Sequence, residues 1–496
     1  MRQNIRVVTL LLLLASLSAV AQHKRQFRGA WIQCVNGQFE GVGTEAMQQT
    51  LTYQLDQLQK MGVNAIIFQV RPECDALYSS SIEPWSRFLT GRQGQAPEPF
   101  WDPLDWMVDQ CHARNMELHA WINPYRARTK VTRQLAPNHI AVTHPERCFD
   151  YDGLTLLNPA LQENRDYICR VAKDIVQRYD IDGLHIDDYF YPYPVAGLQI
   201  PDEADFRTNS NGIKDIGDWR RYNVSLFIEQ LWRTIHQTKP WVKFGVSPFG
   251  IYRNKKSSNI GSQTSGLQNY DQLYADVLLW VNNGWIDYNV PQLYWEIGHS
   301  AADYAELIRW WNRYAAKRPL YIGEDVERTV RHADPDDPRQ HQQMAKHVLH
   351  EINPHVQGTV LWYAKMAVDN PGNYATMLAT RYWRYPALQP KMTFIDGKAP
   401  KKVRSLSDTW AADGHHLTWK APRGKGWKDQ ACKYVVYRFE RGQTVDTKNP
   451  ANIVCITAEE QIPLPYINGN TPYTYVVTAL DRMQNESKPR QLKVKL

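Results

Sequence analysis

A regular alternation of apolar and amphipathic segments runs from residue 28 to about residue 380. Eight apolar segments have the length of a buried strand, at 28–33, 64–72, 117–124, 183–189, 243–250, 287–295, 319–324 and 358–365. Segments with helical spacing follow them, at 44–61, 103–115, 163–179, 217–238, 270–283, 303–316, 338–351 and 371–380. Eight such units over residues 22–385 predict a (β/α)8 TIM barrel of the α/β class. A doubly wound sheet is disfavoured because the first strand runs into Cys34 without a glycine-rich phosphate turn.

The sequence changes character after residue 385. Residues 386–399 are punctuated by proline and predict a linker. Short strand-like runs separated by turns then fill residues 400–496, which is typical of a β-sandwich. Trp419 and the run 473–481 resemble the core tryptophan and the penultimate strand of fibronectin type III modules. We therefore expect a small all-β, immunoglobulin-like or fibronectin type III-like sandwich behind the barrel.

The first 21 residues have the parts of a secretory signal peptide. A basic start precedes an apolar run at 7–15, and small residues at 19 and 21 form a cleavage site. We expect cleavage after Ala21 and export to the periplasm, the cell envelope or the medium. No segment holds the roughly 18 consecutive apolar residues that a membrane helix requires, so no transmembrane segment is predicted.

Charge and cysteine patterns argue against several classes of function. The net charge of +7 is spread along the chain without a block of like charges, which disfavours nucleic-acid binding. The seven cysteines show neither CxxC nor zinc-ligand spacing, so no metal and no cofactor is expected. The 18 Trp and 27 Tyr suit stacking on sugar rings as well as a core. We expect a monomer whose partner is a polysaccharide.

The fourth predicted strand ends in two adjacent acids, Asp187 and Asp188. Burying an unpaired carboxylate costs several kcal/mol, and polar residues at the carboxyl end of a barrel strand are typical of catalytic sites. Because strand side chains alternate, Asp187 is predicted to point into the barrel mouth. Asp188 is predicted to orient the surroundings of Asp187, to cap the loop, or to turn inward where the strand ends.

Glycoside hydrolysis commonly needs two carboxyl groups, and several residues compete for the second role. Glu296 follows the sixth strand, Glu324 ends the seventh, and Asp75 lies just past the second. A further alternative is substrate assistance, in which an N-acetyl group of the substrate acts as the nucleophile. The residues by themselves leave these alternatives open.

Polar and aromatic residues near the predicted strand ends are candidates for binding sugar. They are Arg71, Asp75, His119, Trp121, Asn123, Tyr125, Arg126, His185, Tyr189, Gln292, Tyr294, Trp295 and Trp362. The polar members supply hydrogen bonds and the aromatic members supply flat stacking faces. The two histidines lack a third ligand at a suitable spacing, so they are predicted to be satisfied by hydrogen bonds rather than by a metal.

Five motifs in order resemble the glycosyl hydrolase-like 10 family over roughly residues 25–385. They lie at 28–31, at 69–72 with 75–78, at 119–126, at 185–192 and at 291–295. The resemblance implies a secreted or envelope glycosidase with a (β/α)8 barrel, and one branch of the family cleaves peptidoglycan glycan strands stripped of their stem peptides. It implies Asp187 and Asp188 as the leading acids, with a lining formed by Arg71, His119, Asn123 and Gln292.

Residues 182–189 also resemble the DGxDxDxE strand of chitinase-type barrels. His185 and Tyr189 stand where that pattern has acids, so the chitinase mechanism does not carry over intact. The sequence therefore predicts a glycoside hydrolase for a β-linked amino-sugar polymer, with peptidoglycan glycan strands as the expected substrate. The alternatives are a glycosidase for another polysaccharide, a non-catalytic carbohydrate-binding barrel, and an adhesion protein that uses the sandwich.

Overall fold

Eight parallel strands close into a barrel in the computed structural model, which describes residues 22–496. The predicted signal peptide at 1–21 lies outside the described residues. The strands are β1 (Phe27–Ile32), β2 (Ala65–Arg71), β3 (Glu117–Ile122), β4 (Gly183–Ile186), β5 (Lys243–Val246), β6 (Tyr288–Asn289), β7 (Leu320–Asp325) and β8 (Val356–Trp362). They neighbour one another in chain order, and β8 pairs with β1. The predicted (β/α)8 barrel is confirmed.

Helices follow the barrel strands and cover their outer surface. In the first helix Leu51, Leu55 and Leu58 are fully buried, because this apolar stripe faces the strands. The helices are Thr44–Met61, Arg87–Thr90, Pro103–Ala113, Ile140–Thr143, Gln162–Arg178, Glu203–Thr208, Ile216–Thr238, Asn269–Gln272, Val277–Asn283, Tyr304–Tyr314, Val326–Arg331, Gln343–Glu351, Ala364–Val368 and Tyr374–Met377. Single helical turns lie at Pro145–Arg147, Pro371–Asn373, Leu378–Tyr382 and Pro450–Asn452.

Aromatic side chains fill the inside of the barrel. Phe27 and Tyr321 stack with ring centroids 4.2 Å apart, and Tyr288 lies 5.4 Å from Tyr321. They occupy the strand faces opposite to those that meet the helices, as the alternation along a strand requires. The interior is therefore packed, and a cavity lies above it, at the carboxyl ends of the strands.

Two insertions enlarge this carboxyl-terminal face. A small antiparallel sheet of Arg126–Arg128, Cys148–Tyr151 and Leu154–Leu157 follows β3. A long connection that contains the helix Glu203–Thr208 follows β4. Among the helices of residues 22–496, none is both long enough and apolar enough to cross a membrane.

Seven antiparallel strands form two sheets in the C-terminal part. They are β9 (Arg404–Ala411), β10 (Gly414–Lys420), β11 (Lys433–Glu440), β12 (Ile453–Thr457), β13 (Gln461–Pro463), β14 (Pro472–Leu480) and β15 (Arg490–Lys495). The sheet orders are β9-β10-β13 and β12-β11-β14-β15. Trp419 is buried in the core of this part, with its ring 5.4 Å from that of Tyr434.

The C-terminal part packs against the amino-terminal ends of the barrel strands. Gln484, in the turn between β14 and β15, donates a hydrogen bond to Glu117 at the start of β3, at 3.2 Å. Met483 joins the apolar cluster inside the barrel. Within the segment predicted as a linker, Met392 is 2% exposed and its N–H donates to the carbonyl of Met483. These contacts leave the opposite, carboxyl-terminal face of the barrel open.

Candidate active site

Asp187 and Asp188 both line a cavity of about 380 Å³ at the carboxyl ends of the barrel strands. Strand β4 ends at Ile186, which is the last residue paired with β3 and β5. Asp187 keeps the inward direction that strand alternation predicts. Asp188 also turns inward, because the pairing that would hold it to the opposite face has ended. The two residues are 4% and 2% exposed, so both carboxyl groups lie at the bottom of the cavity.

Asp187 is held by side chains of the neighbouring strand. Trp121 Nε1 donates a hydrogen bond to its Oδ2 at 3.1 Å, and Asn123 Nδ2 donates to its Oδ1 at 3.2 Å. Burial raises the pKa of Asp187 to about 7, the charge of Arg126 opposes this rise, and the charge of Asp188 adds to it. Asp187 is therefore still half protonated near neutral pH.

Asp188 is held by residues that follow β4 and β6. Tyr193 donates its hydroxyl proton to Oδ2, and Gln292 Nε2 donates to Oδ1 at 3.1 Å. The same amide nitrogen also donates to the carbonyl of Ser247 at 2.8 Å, which fixes its orientation. Burial raises the pKa of Asp188, whereas the two side-chain hydrogen bonds oppose that rise because they stabilise the ionised carboxylate.

Aromatic side chains form the walls of the cavity above the acid pair. Trp362 stacks on Tyr294 with ring centroids 5.7 Å apart, and it meets Trp31 edge-on at 6.0 Å. Phe249 and Trp295 form a second edge-on pair at 5.3 Å. Pyranose rings have apolar C–H faces, so flat walls over two carboxyl groups form a suitable site for a sugar chain.

The cavity contains nine of the residues predicted from the sequence, namely Trp121, Arg126, Asp187, Asp188, Tyr189, Gln292, Tyr294, Trp295 and Trp362. Asn123 adjoins it through the hydrogen bond to Asp187. Six further lining residues were not among the predicted sugar contacts, namely Trp31, Val35, Gln69, Tyr193, Ser247 and Phe249. Ser247 and Phe249 directly follow β5, so the rule that selected Asp187 at the end of β4 also applies to them.

His119 and His185 lie in the barrel interior beneath the cavity, which does not fit their predicted contact with substrate. The Nδ1 atoms of both histidines are hydrogen-bonded to the hydroxyl of Tyr288, at 2.7 Å and 3.1 Å. His119 Nε2 pairs with Glu117 at 3.0 Å, and His185 Nε2 lies 2.9 Å from Ser247 Oγ. Burial holds the pKa of His185 well below its ordinary value, so this ring is neutral. Residues 22–496 contain no group of three His, Cys, Asp or Glu side chains placed to hold a metal ion.

Arg71, Asp75 and Tyr125 are buried outside the cavity, so their positions do not fit the predicted sugar contacts. All three are 0% exposed. Arg71 donates to Glu83 through Nε at 2.8 Å and through Nη2 at 2.6 Å. Tyr125 packs against Phe227 with ring centroids 5.2 Å apart. Buried charges need a partner, and both charged residues find theirs within the protein, since Gln93 Nε2 donates to Asp75 Oδ2 at 2.9 Å.

Glu296 lies in a neighbouring cavity of about 320 Å³ rather than beside the acid pair. Its carboxyl oxygens are 4.0 Å from Arg328 and 3.9 Å from His332. The chain has moved away from the mouth after Trp295, so the parity that Glu296 shares with Gln292 no longer directs it inward. This position does not fit the predicted role as the second catalytic carboxyl group.

Glu324 lies on the outer side of β7, where it faces helices. It shares the alternation of Ile322, which packs in the outer core, and not that of Tyr321, which lies inside the barrel. Tyr304 donates a hydrogen bond to Glu324 at 2.5 Å, and His350 Nε2 lies 2.8 Å away. Burial alone would raise the pKa of Glu324, but the bond and charge of His350 lower it to about 2. This placement does not fit the predicted catalytic role.

Replacing Glu324 by Gln is expected to lower the free energy of unfolding by about 1–3 kcal/mol, because Tyr304 and His350 lose a charged acceptor in a buried site. The kcat for glycan cleavage should stay near the wild-type value, since the cavity is unchanged. Denaturant unfolding and turnover would be measured on one preparation. A loss of turnover at unchanged stability would restore Glu324 as a catalytic candidate.

Residues 26–339 match the model of the family described as Glycosyl hydrolase-like 10. The chain belongs to the glycosyl hydrolase-like 10 family. Glycosyl hydrolase YngK of Bacillus subtilis (strain 168) is 37% identical over 486 residues, which cover 95% of this chain and 93% of that protein. Glycosyl hydrolase DigH of Escherichia coli (strain K12) is 35% identical over 325 residues, which cover 61% of this chain and 73% of that protein. The PgaB (BpsB) glycoside hydrolase domain from Bordetella bronchiseptica has a TM-score of 0.45 at 10% identity, covering 72% of this chain and 99% of that chain.

This glycosyl hydrolase-like 10 protein is a glycoside hydrolase. Cleavage of a glycosidic bond needs a proton for the leaving oxygen and a group that stabilises the positive charge developing at C1. In the cavity, Asp187 keeps its proton close to neutral pH. Asp188 lies directly beside it and accepts hydrogen bonds on both oxygens, as a carboxylate does. Two adjacent carboxyl groups with different surroundings suit two different roles.

The raised pKa of Asp187 predicts an alkaline limit of activity near pH 7. If Asp187 is the general acid, kcat/KM should fall as pH rises through about 7, because the protonated form disappears. The measurement is kcat/KM across the pH range in buffers of constant ionic strength. If Asp188 acts as a carboxylate, kcat/KM should also fall at low pH, where Asp188 takes up a proton. Tyr193→Phe removes a hydrogen bond that lowers the pKa of Asp188, so this fall on the acid side should move to higher pH. An alkaline limb near the ordinary aspartate pKa of about 4 would contradict the assignment.

Proposed function

We propose that this enzyme cleaves a β-linked polymer of N-acetylated amino sugars, with peptide-free glycan strands of peptidoglycan as its substrate. The observation that carries the proposal is the pair of consecutive buried carboxyl groups beneath aromatic walls. Among residues 22–496, no further carboxyl group lines this cavity. A mechanism in which the substrate supplies the nucleophile needs no carboxylate across the cleft. The choice of polymer rests on the family resemblance of the sequence motifs.

In the proposed mechanism Asp187 is the general acid and Asp188 positions the acetamido group. The carbonyl oxygen of that group attacks C1, the glycosidic C–O bond breaks, and the leaving oxygen takes the proton of Asp187. Asp188, as the carboxylate, takes the N–H proton of the acetamido group, which gives a neutral oxazoline intermediate. A water molecule then attacks C1 and gives a proton to Asp187, while the bond between C1 and the acetamido oxygen breaks and Asp188 returns its proton to the acetamido nitrogen. The hydrogen bonds from Tyr193 and Gln292 to Asp188 support its role as an acceptor.

The test uses purified protein and peptide-free glycan strands, with product masses as the readout. Hydrolytic cleavage is expected, and N-deacetylated strands should resist it because they lack the nucleophile. A thiazoline analogue of the intermediate should inhibit. Equal cleavage of acetylated and deacetylated strands would overturn substrate assistance. Binding of glycan fragments without any turnover would favour the non-catalytic alternative.

We also propose that the enzyme is exported and that its C-terminal part is a fibronectin type III-like module. The composition of residues 1–21 supports export. The three-stranded and four-stranded sheets with a buried Trp419 support the module. N-terminal sequencing of protein recovered from the cell envelope and medium tests the first proposal, and a start at Gln22 is expected. Retention of Met1 in all fractions would contradict it.

A further inference from the structure

Arg126 is a cation in the wall of the catalytic cavity, at the start of the short strand after β3. The residue is 9% exposed. Its backbone N–H donates to Asn123 Oδ1 at 2.9 Å, and its Nε donates to the carbonyl of Pro72 at 3.1 Å. The guanidinium lies over the ring of Tyr189, 5.0 Å from the centroid. These contacts fix the plane of the guanidinium and leave its two terminal nitrogens for other partners.

Within residues 22–496, the other buried arginines donate through at least one terminal guanidinium nitrogen to an oxygen of the protein, and Arg126 does not. Two of these arginines use carboxylate oxygens. Arg71 pairs with Glu83 at 2.6 Å, and Arg220 pairs with Asp202 at 2.5 Å. Within residues 22–496, no carboxylate oxygen lies within 4.0 Å of the guanidinium of Arg126 and no hydrogen bond engages its terminal nitrogens. When a substrate displaces water from the cavity, a guanidinium without an acceptor at its terminal nitrogens is costly to desolvate. A ligand anion that enters the cavity would compensate it.

We propose that Arg126 determines specificity by binding a free carboxylate that the glycan carries next to the bond to be cleaved. In peptidoglycan this group is the lactyl carboxylate of N-acetylmuramic acid, which is free only after the stem peptide has been removed. The inference rests on the proposed function and names the chemical group that the site recognises. A guanidinium with both terminal nitrogens open binds a carboxylate through two parallel hydrogen bonds. A stem peptide converts that carboxylate into an amide, which has no charge and turns an N–H donor toward the guanidinium.

Recognition of the carboxylate would also act on the acid pair. The positive charge of Arg126 lowers the pKa of Asp187 and thus works against its protonated form. A bound carboxylate offsets that charge, so Asp187 holds its proton more firmly when the correct substrate is present. The charged groups that face Arg126 in the cavity are Asp187 and Asp188. Binding of the substrate anion and protonation of the general acid are therefore coupled.

The experiment compares two ligands that differ only in the group to be recognised. Binding of N-acetylmuramic acid and of its lactyl carboxamide to the wild-type protein is measured by isothermal titration calorimetry. The acid is expected to bind at least about tenfold more tightly, as for a charge-assisted bidentate pair. In Arg126→Gln the affinity for the acid should fall to that for the amide, and Arg126→Lys should keep part of the preference. Equal affinities of the wild-type protein for acid and amide overturn the inference and need no variant.

The control variant is Arg128→Gln, two residues further along the same strand. Arg128 donates to Thr155 Oγ1 at 3.1 Å and does not line the cavity, so the preference for the acid should be retained. Turnover gives a second readout, since kcat/KM of the wild-type protein should be higher on peptide-free strands than on neutral N-acetylglucosamine oligomers. Arg126→Gln should abolish this preference, mainly by raising KM for the peptide-free strands. If the wild-type protein cleaves neither polymer, the proposed function fails. If it cleaves both equally well, the proposed function stands and the role of Arg126 is excluded.

Discussion

Replacing Asp187 by Asn is expected to lower kcat for glycan cleavage about 10²–10⁴-fold, the range that a positioned general acid contributes. The amide keeps the size of the side chain and its hydrogen bonds from Trp121 or Asn123, but it has no proton to give to the leaving oxygen. Turnover on peptide-free strands measures the effect, and substrate binding should persist. Full turnover by the variant would exclude Asp187 as the acid.

The loss of turnover in Asp187→Asn should not result from unfolding of the variant. The pKa of Asp187 is raised from 3.8 to about 7, so the folded state keeps a proton that the unfolded state releases between these values. This group therefore makes the protein less stable as pH rises through that window. The Asn variant lacks this decline and should unfold at the same temperature or higher at pH 8. Glu296→Gln is the matched control, because Glu296 lies outside the cavity and its variant should keep near wild-type turnover.

Replacing Arg71 by Met is expected to lower the free energy of unfolding by about 3–5 kcal/mol, the cost of leaving one member of a buried ion pair without its partner. Glu83 would then stay buried, and among residues 22–496 the hydroxyl of Tyr167 would be the one side-chain donor left to it, at 2.8 Å. The carbonyls of Asn123 and Pro124, which accept from Arg71 Nη1, would also lose that donor. Denaturant unfolding of the full chain measures the change.

The double variant Arg71→Met/Glu83→Gln separates charge from packing. It removes the stranded carboxylate and should recover part of the lost stability. If Arg71→Met were instead as stable as the wild type and only its KM for glycan rose, Arg71 would be a sugar contact, as the sequence motifs imply. The first outcome lowers the free energy of unfolding and the second raises KM, so measuring both quantities on the same preparations decides between them.

The barrel and the position of the candidate site could be predicted because they depend on local patterns. Apolar alternation identifies each strand, helical spacing identifies each helix, and the order of eight such units leaves few closed arrangements. The position of Asp187 at the end of β4 follows from the same alternation. The outward direction of Glu324 was also accessible, because it shares the parity of Ile322 on β7. The position of an acid at a strand tip could therefore be predicted from the sequence. For an acid within a strand, the alternation also predicts whether its side chain points into the barrel or toward the helices.

The remaining assignments depend on contacts between residues far apart in the chain, and only the tertiary structure decided them. Arg71 and Asn123 both stand at strand tips in the sequence, yet Arg71 pairs with Glu83 while Asn123 contacts Asp187. Asp188 turns inward because pairing ends at Ile186, which depends on where β3 and β5 stop. A polar side chain at a strand tip can be satisfied by the protein or by a ligand. The local sequence does not distinguish these two cases, because they differ only in the partner that the fold brings to the polar side chain.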